Sequence, residues 1–195
     1  MVADPQKIYD AGHYVALENE AAEKSELFNG QIYAMAGATP THVRISGNVY
    51  HAIRTQLRGK PCEPFNSDLR VRVDETGAFV YPDVTVACPP LIFAEDDANA
   101  LTNPVVVIEV LSPSTEANDR GAKWGHYQHL ASLRDYVLVA QNQKRVEHYE
   151  RLDDGSWRYS VAENDGAASL SSIECVLNLD EVYERVEFSD TTQMT

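Results

Sequence analysis

The chain reads as a mixed α/β protein with a largely β middle and one helix crossing between strands. Three observations predict this: apolar residues at helical spacing near the N-terminus, a change to alternation by two from about residue 69, and a run of Val and Ile followed at once by helix-type sequence. With 195 residues, 44% of them apolar, one well-filled domain over 1–195 is expected, with flexible ends at about 1–8 and 188–195.

The elements follow in order. "DAGHYVALENEAAEK" has the composition of a short helix, with Tyr14, Leu17 and Ala21 at helical spacing. "SELFNGQIYAMAG" pairs two β-type runs around Asn29-Gly30, a dipeptide suited to the positive φ values of a two-residue hairpin turn. "TPTHVRISGNVYHAIRTQLRG" is a helix: Thr39 or Thr41 can cap it, His42, Ile45, Val49, Ile53 and Leu57 recur at three or four, and Gly59 stops it. "SDLRVRVDE" alternates as a half-buried strand does. "AFVYPDVTVACPP" is a second strand, split by Pro82, which cannot donate to a ladder.

"NPVVVIEVLS" is apolar on both faces, so it belongs in the middle of a sheet. The helix "STEANDRGAKWGHYQHLA" follows, opened by Ser114 or Thr115 and weakened by Gly121 and Gly125. "RDYVLVAQ", "RVEHYERLD" and "SWRYSVAE" close the sheet, and the short amphipathic helix "NLDEVYERV" ends the fold.

Bulk properties narrow the function classes. No stretch reaches the roughly 20 apolar residues of a membrane span, and the N-terminus lacks the pattern of a signal peptide, so a cytoplasmic location without membrane contact is expected. The formal charge of −14 argues against a strongly basic surface that grips phosphates everywhere. Cys62, Cys88 and Cys175 show neither C-x-x-C spacing nor a nearby His at ligand distance, so they are expected to be reduced and buried.

Two carboxylates stand out. Glu109 interrupts an apolar strand near its end, and an ionised carboxylate there must be protonated, paired, at a wet strand end or holding a metal. Asp83 interrupts another apolar run directly after Pro82. On neighbouring strands the two can converge where sites of open α/β sheets gather. Hard oxygen ligands of this kind suit Mg²⁺ or Mn²⁺. On the next helix Asp119, Lys123 and Tyr127 recur every four residues and share a face. If that face meets the strand ends, the ammonium can hold a water or offset charge building on a phosphate. The bland alternative is an exposed Asp119–Lys123 pair, worth only about 0.3–0.5 kcal/mol.

"YPDVTVA", "VVVIEVLSPST", "ND…K…Y" and "RDYVLVAQ" together resemble the Uma-type family of restriction-endonuclease-like proteins, a branch of the PD-(D/E)XK nuclease superfamily. The similarity runs from "ELFNGQIYAMAG" and "THVRISGNV" to "LNLDEVYERV". It implies a restriction-endonuclease-like core, a central mixed β-sheet flanked by helices, with an N-terminal helix and hairpin. It also implies Mg²⁺- or Mn²⁺-dependent cleavage of nucleic-acid phosphodiesters, DNA before RNA, with Asp83, Glu109 and Lys123 catalytic and with Asp83, Glu109, Val110 and Glu26 around the metal. His42, Asp119 and Tyr127 are the supporting residues.

One departure is plain: the superfamily pattern puts Lys two residues after the acid, where this chain has Leu111, so Lys123 is taken as its substitute. A homodimer is the expected assembly. The alternative expectation is a nuclease-like domain that binds nucleic acid or a protein without cutting. A glycosidase is a third and weaker reading, since the lysine would be idle there.

Overall fold

A computed structural model describes residues 8–35 and 37–188. The termini expected to be flexible lie mostly outside that range. The elements, in chain order, begin with α1 (Ala11–Glu20), β1 (Ser25–Phe28), β2 (Gln31–Ala34), α2 (Pro40–Gln56), β3 (Glu63–Asn66), β4 (Arg70–Val73), β5 (Ala78–Val80) and β6 (Val84–Ala87). They continue with β7 (Phe93–Ala94), β8 (Asp97–Leu101) and β9 (Val106–Leu111). A helical segment follows, made of α3 (Glu116–Asn118), a π-helical turn (Asp119–Lys123) and α4 (Trp124–Tyr127). The last elements are β10 (Asp135–Ala140), β11 (Arg145–Arg151), β12 (Trp157–Glu163), β13 (Ala167–Leu170), β14 (Cys175–Asn178) and α5 (Leu179–Val182).

The strands form two six-stranded sheets, ordered β2-β1-β5-β4-β8-β7 and β12-β11-β10-β9-β6-β3, and a ribbon of β13 and β14. The Asn29-Gly30 turn is as the sequence requires, with φ of 49° and 75°. Thr39, rather than Thr41, caps α2 by accepting from the His42 N–H. The segment 78–90 is a correction to the expected single split strand. Pro82 separates β5 in the first sheet from β6 in the second, so the chain changes sheets just before Asp83.

β9 lies in the interior of the second sheet, antiparallel to β6 and parallel to β10, with the helical segment as the crossover between the parallel pair. Its alternation sorts two cores. Val106, Ile108 and Val110 face α2, packing with Ile45, Val49 and Ile53. Val107 and Leu111 face the other way, with Phe28, Val71, Val80, Tyr127, Tyr136 and Leu138. Glu109 shares the parity of Val107 and Leu111, so its side chain enters the space between the two sheets.

The expectation of three reduced cysteines is corrected: Cys62 and Cys88 form a disulfide, and Cys175 alone is free and buried. The β3–β6 register explains it, because Glu63 lies opposite Ala87 and the flanking Cys62 and Cys88 are thereby brought side by side. Among the described residues no helix is long and apolar enough to cross a membrane.

Candidate active site

Three elements converge on one buried ammonium. Lys123 Nζ lies 3.1 Å from Glu26 Oε1 of β1, 3.2 Å from Glu109 Oε1 of β9 and 3.4 Å from Asp119 Oδ1 one turn earlier. Lys123 is 6% exposed, and Glu26, Glu109 and Asp119 are each 3% or less. The Tyr127 hydroxyl donates to Glu109 Oε1 at 2.8 Å, and the Tyr81 N–H donates to Glu26 Oε1 at 3.0 Å. Asp119 Oδ1 is close enough to the ammonium for charge attraction but makes no hydrogen bond to it. Tyr136 fixes the turn by donating its hydroxyl hydrogen to the Asp119 carbonyl.

Asp83 adjoins this cluster. The β6–β9 register pairs Val84 with Ile108, so one step further places Asp83 across from Glu109. Asp83 Oδ2 accepts the Val110 N–H at 2.7 Å, and His42 Nε2 lies 2.9 Å from Asp83 Oδ1. His42 reaches it from the first turn of α2. Their side chains, 15% and 17% exposed, form the wetter side of the site.

Three acids around one ammonium leave negative charge uncompensated. Burial raises the Glu109 carboxyl well above its ordinary range; Lys123 pulls it down, and Asp119, Asp83 and Glu26 push it up again. Asp119 is raised likewise, first by burial. Burial alone would push the Lys123 amine down, but Glu109, Glu26 and Asp119 outweigh it and hold the amine well above the usual lysine value. These directions agree: the cluster gathers protons because one lysine does not balance it.

The expected residues thus fall into two adjoining groups. Glu26, Glu109, Asp119, Lys123 and Tyr127 meet, while Asp83, His42 and the Val110 backbone meet beside them. Among the described residues no three His, Cys, Asp or Glu side chains form a ready-made metal cluster, since Lys123 fills the space between the carboxylates. The donors still suit a hard divalent cation, which keeps most of its waters and needs only one or two carboxylates.

Sequence reasoning missed Tyr81, Tyr136 and Glu147. The first acts through its backbone and the second through a tertiary contact, neither of which has a sequence signal. Glu147 sits in the ladder row of Glu109, since Leu138 pairs with both. Its place inside an alternating strand was the available signal.

A family model described as "Uma2: Putative restriction endonuclease" matches residues 11–180. The chain belongs to the Uma2 family. Two uncharacterized proteins of Synechocystis sp. are similar to it. One is 37% identical over 175 residues, covering 90% of this chain and 91% of its own length. The other is 36% identical over 157 residues, covering 80% and 89%. Among solved structures, a nuclease belonging to DUF820 from Anabaena variabilis, titled as putative, has a TM-score of 0.74 at 18% identity. The match covers 89% of this chain and 97% of that one, and it shows that the two share a fold. The mixed α and β architecture expected of a restriction-endonuclease-like chain is therefore the one this Uma2 protein has.

Proposed function

We propose that this Uma2 protein is a Mg²⁺- or Mn²⁺-dependent endonuclease that hydrolyses nucleic-acid phosphodiesters, DNA in preference to RNA. The observation that carries the reading is the Lys123 ammonium within 3.4 Å of three acids, with Asp83 across the ladder from one of them. Asp83, Glu109, Glu26 and the Val110 carbonyl would hold the ion; when bound, it lowers the pKa of water and offsets charge on phosphoryl oxygens. Lys123 orients the attacking water or meets the charge that builds on the phosphate. Tyr127 fixes the Glu109 carboxylate, Asp119 fixes Lys123, and His42 fixes Asp83. One water adds across one P–O bond, leaving a phosphate monoester and a hydroxyl.

The same proposal includes residues 1–195 acting as one domain, a homodimer as the working assembly and a cytoplasmic location. The Cys62–Cys88 bond stands against that location, since disulfides are rare in a reducing cytosol.

The test incubates plasmid and single-stranded DNA with wild type, Asp83→Asn and Glu109→Gln in Mg²⁺ or Mn²⁺, with EDTA as control. Cleavage by wild type alone, with all three proteins folded by circular dichroism, supports the reading. Metal binding by calorimetry without strand breaks refutes it in favour of a non-cutting binding module. The observation favouring that second reading is Lys123 itself, whose amine already stands where a cation between Glu26 and Glu109 would sit.

A further inference from the structure

Between Glu109 and the free edge of the second sheet lies ground that the proposed chemistry does not use. On the face that carries Glu109, one cross-strand row runs Glu109, Leu138, Glu147, Val161, and the next runs Val107, Tyr136, Tyr149, Tyr159. At about 4.8 Å per strand, β12 is about 14 Å from Glu109. A crevice of about 110 Å³ opens at the C-terminal ends of the parallel strands β9 and β10, and Ser112, Arg120, Gln141, Arg145 and Glu147 are among the residues that line it.

At its rim, Arg120 donates to both oxygens of Glu147 at 2.8 Å, Arg145 Nε donates to the same carboxylate at 3.1 Å, and the Tyr159 hydroxyl donates to it at 2.9 Å. Tyr159 is 49% exposed, yet its ring rests 5.0 Å from that of Tyr149. The stack continues inward through Trp124, whose ring lies 4.8 Å from Tyr149 and 4.7 Å from Trp157. Tied at its hydroxyl and propped beneath, Tyr159 is a fixed aromatic shelf with one open flank.

We propose that this shelf and crevice bind an unpaired nucleic-acid strand, with one base stacked on Tyr159 and the backbone passing Arg145 and Arg120 toward the carboxylates. The inference rests on the nuclease reading and names the form of its substrate. Charge argues for it in two ways. A net charge of −14 gives a duplex's phosphates little general attraction, whereas stacking supplies affinity that needs little positive charge. The cations that line this ground, Arg120 and Arg145, meet on Glu147, with Glu116 and Glu163 as their further partners, and Arg120 stands next to Asp119 in the crossover segment.

Access argues for it as well. Glu109 and Lys123 are 2% and 6% exposed beneath the crossover segment, so a phosphodiester that reaches them has to leave the stack of a duplex.

The test measures fluorescence anisotropy of a fluorescein-labelled oligothymidine, an oligouridine and a DNA hairpin duplex, in Ca²⁺ to suppress turnover, with wild type, Tyr159→Ala and Tyr159→Phe. Wild type should bind the single strands more tightly than the duplex. Tyr159→Ala should weaken single-strand binding by about 5- to 150-fold, the loss of one stacked base, while Tyr159→Phe keeps the affinity within about threefold. The two single strands tell DNA from RNA as the source of the unpaired bases. Tighter duplex binding, no binding of either strand, or an unchanged Tyr159→Ala overturns the proposal. So does a Tyr159→Ala effect seen only in sedimentation, which would make the shelf a contact between two copies. Cleavage in Mg²⁺ is scored separately. Single-strand binding without cleavage leaves this inference standing and sinks the nuclease reading, and cleavage with unaltered Tyr159→Ala binding does the reverse.

Discussion

Replacing Lys123 by Met tests the charge balance of the site most directly. Met preserves volume and removes the only ammonium that, among the described residues, lies within 3.4 Å of Glu26, Glu109 and Asp119. Removing one partner from a buried ion cluster leaves uncompensated charge and costs about 3–5 kcal/mol. The sign of its pH dependence follows from the carboxyls. Glu109 and Asp119 already sit above their ordinary values of 4.5 and 3.8, first through burial, and Lys123 is the nearest charge pulling both down. Without it they rise further, so over the pH range between ordinary and folded values the native state binds more protons than the unfolded one.

Stability of Lys123→Met therefore increases as pH falls through that window. The penalty should be full near neutrality and shrink to the packing difference, about 1 kcal/mol, as pH drops below the ordinary carboxylate range. Urea denaturation in EDTA at both ends of the window, with an unchanged m value, measures it. A loss under about 1 kcal/mol at neutral pH, or a large loss that does not respond to pH, would refute the charge accounting.

Three further substitutions probe the frame around the site. Arg120 chiefly holds the Glu147 carboxyl down at about 2, with Tyr159 and Arg145 assisting and burial opposing. Glu147→Gln should cost about 2 kcal/mol above pH 4.5, after allowance for solvent screening on the half-open arginine side, and almost nothing as pH falls through about 2; equal stability of the two proteins at neutral pH would contradict it. Reducing the Cys62–Cys88 bond, which spans 26 residues, should lower stability by about 3 kcal/mol. A melting curve indifferent to dithiothreitol, or a thiol titration that finds three free cysteines, would overturn this. Gly30→Ala should cost about 1–2 kcal/mol by chemical denaturation, because φ is +75° and the new Cβ would stand 2.6 Å from Ile8 Cγ2; a neutral result would mean the hairpin is not held as described.

Much of this arrangement was legible in the sequence wherever a local rule had to be obeyed. Asn29-Gly30 needed two positive φ values, Pro82 could not sit inside a ladder, and a carboxylate among Val and Ile needed a partner. Each of those local demands was met where it was expected. Long-range pairing was not legible. Nothing in "AFVYPDVTVA" states that its halves join different sheets, and Cys62 and Cys88 become neighbours only through the β3–β6 register. β3, β7, β8, β13 and β14 went unread for the same reason: they are short, and their partners rather than their own patterns make them strands.

The displaced lysine shows where position in space overrides position in sequence. The superfamily pattern would place it at 111, on the same side of β9 as Glu109 by the two-residue period of a strand. Here Leu111 is 4% exposed and packs in the core shared with Phe28, Tyr127 and Leu138. An ammonium there would enter an apolar layer, whereas one at 123 reaches the same carboxylate from the crossover segment and meets Glu26 and Asp119 on arrival. The π-helical turn at Asp119–Lys123 is the local distortion at that point, of a kind that recurs at functional sites. Pairing with the buried Glu109 carboxylate constrains where the ammonium stands and leaves free which element delivers it, so position 111 can be Leu while Lys123 meets the acid.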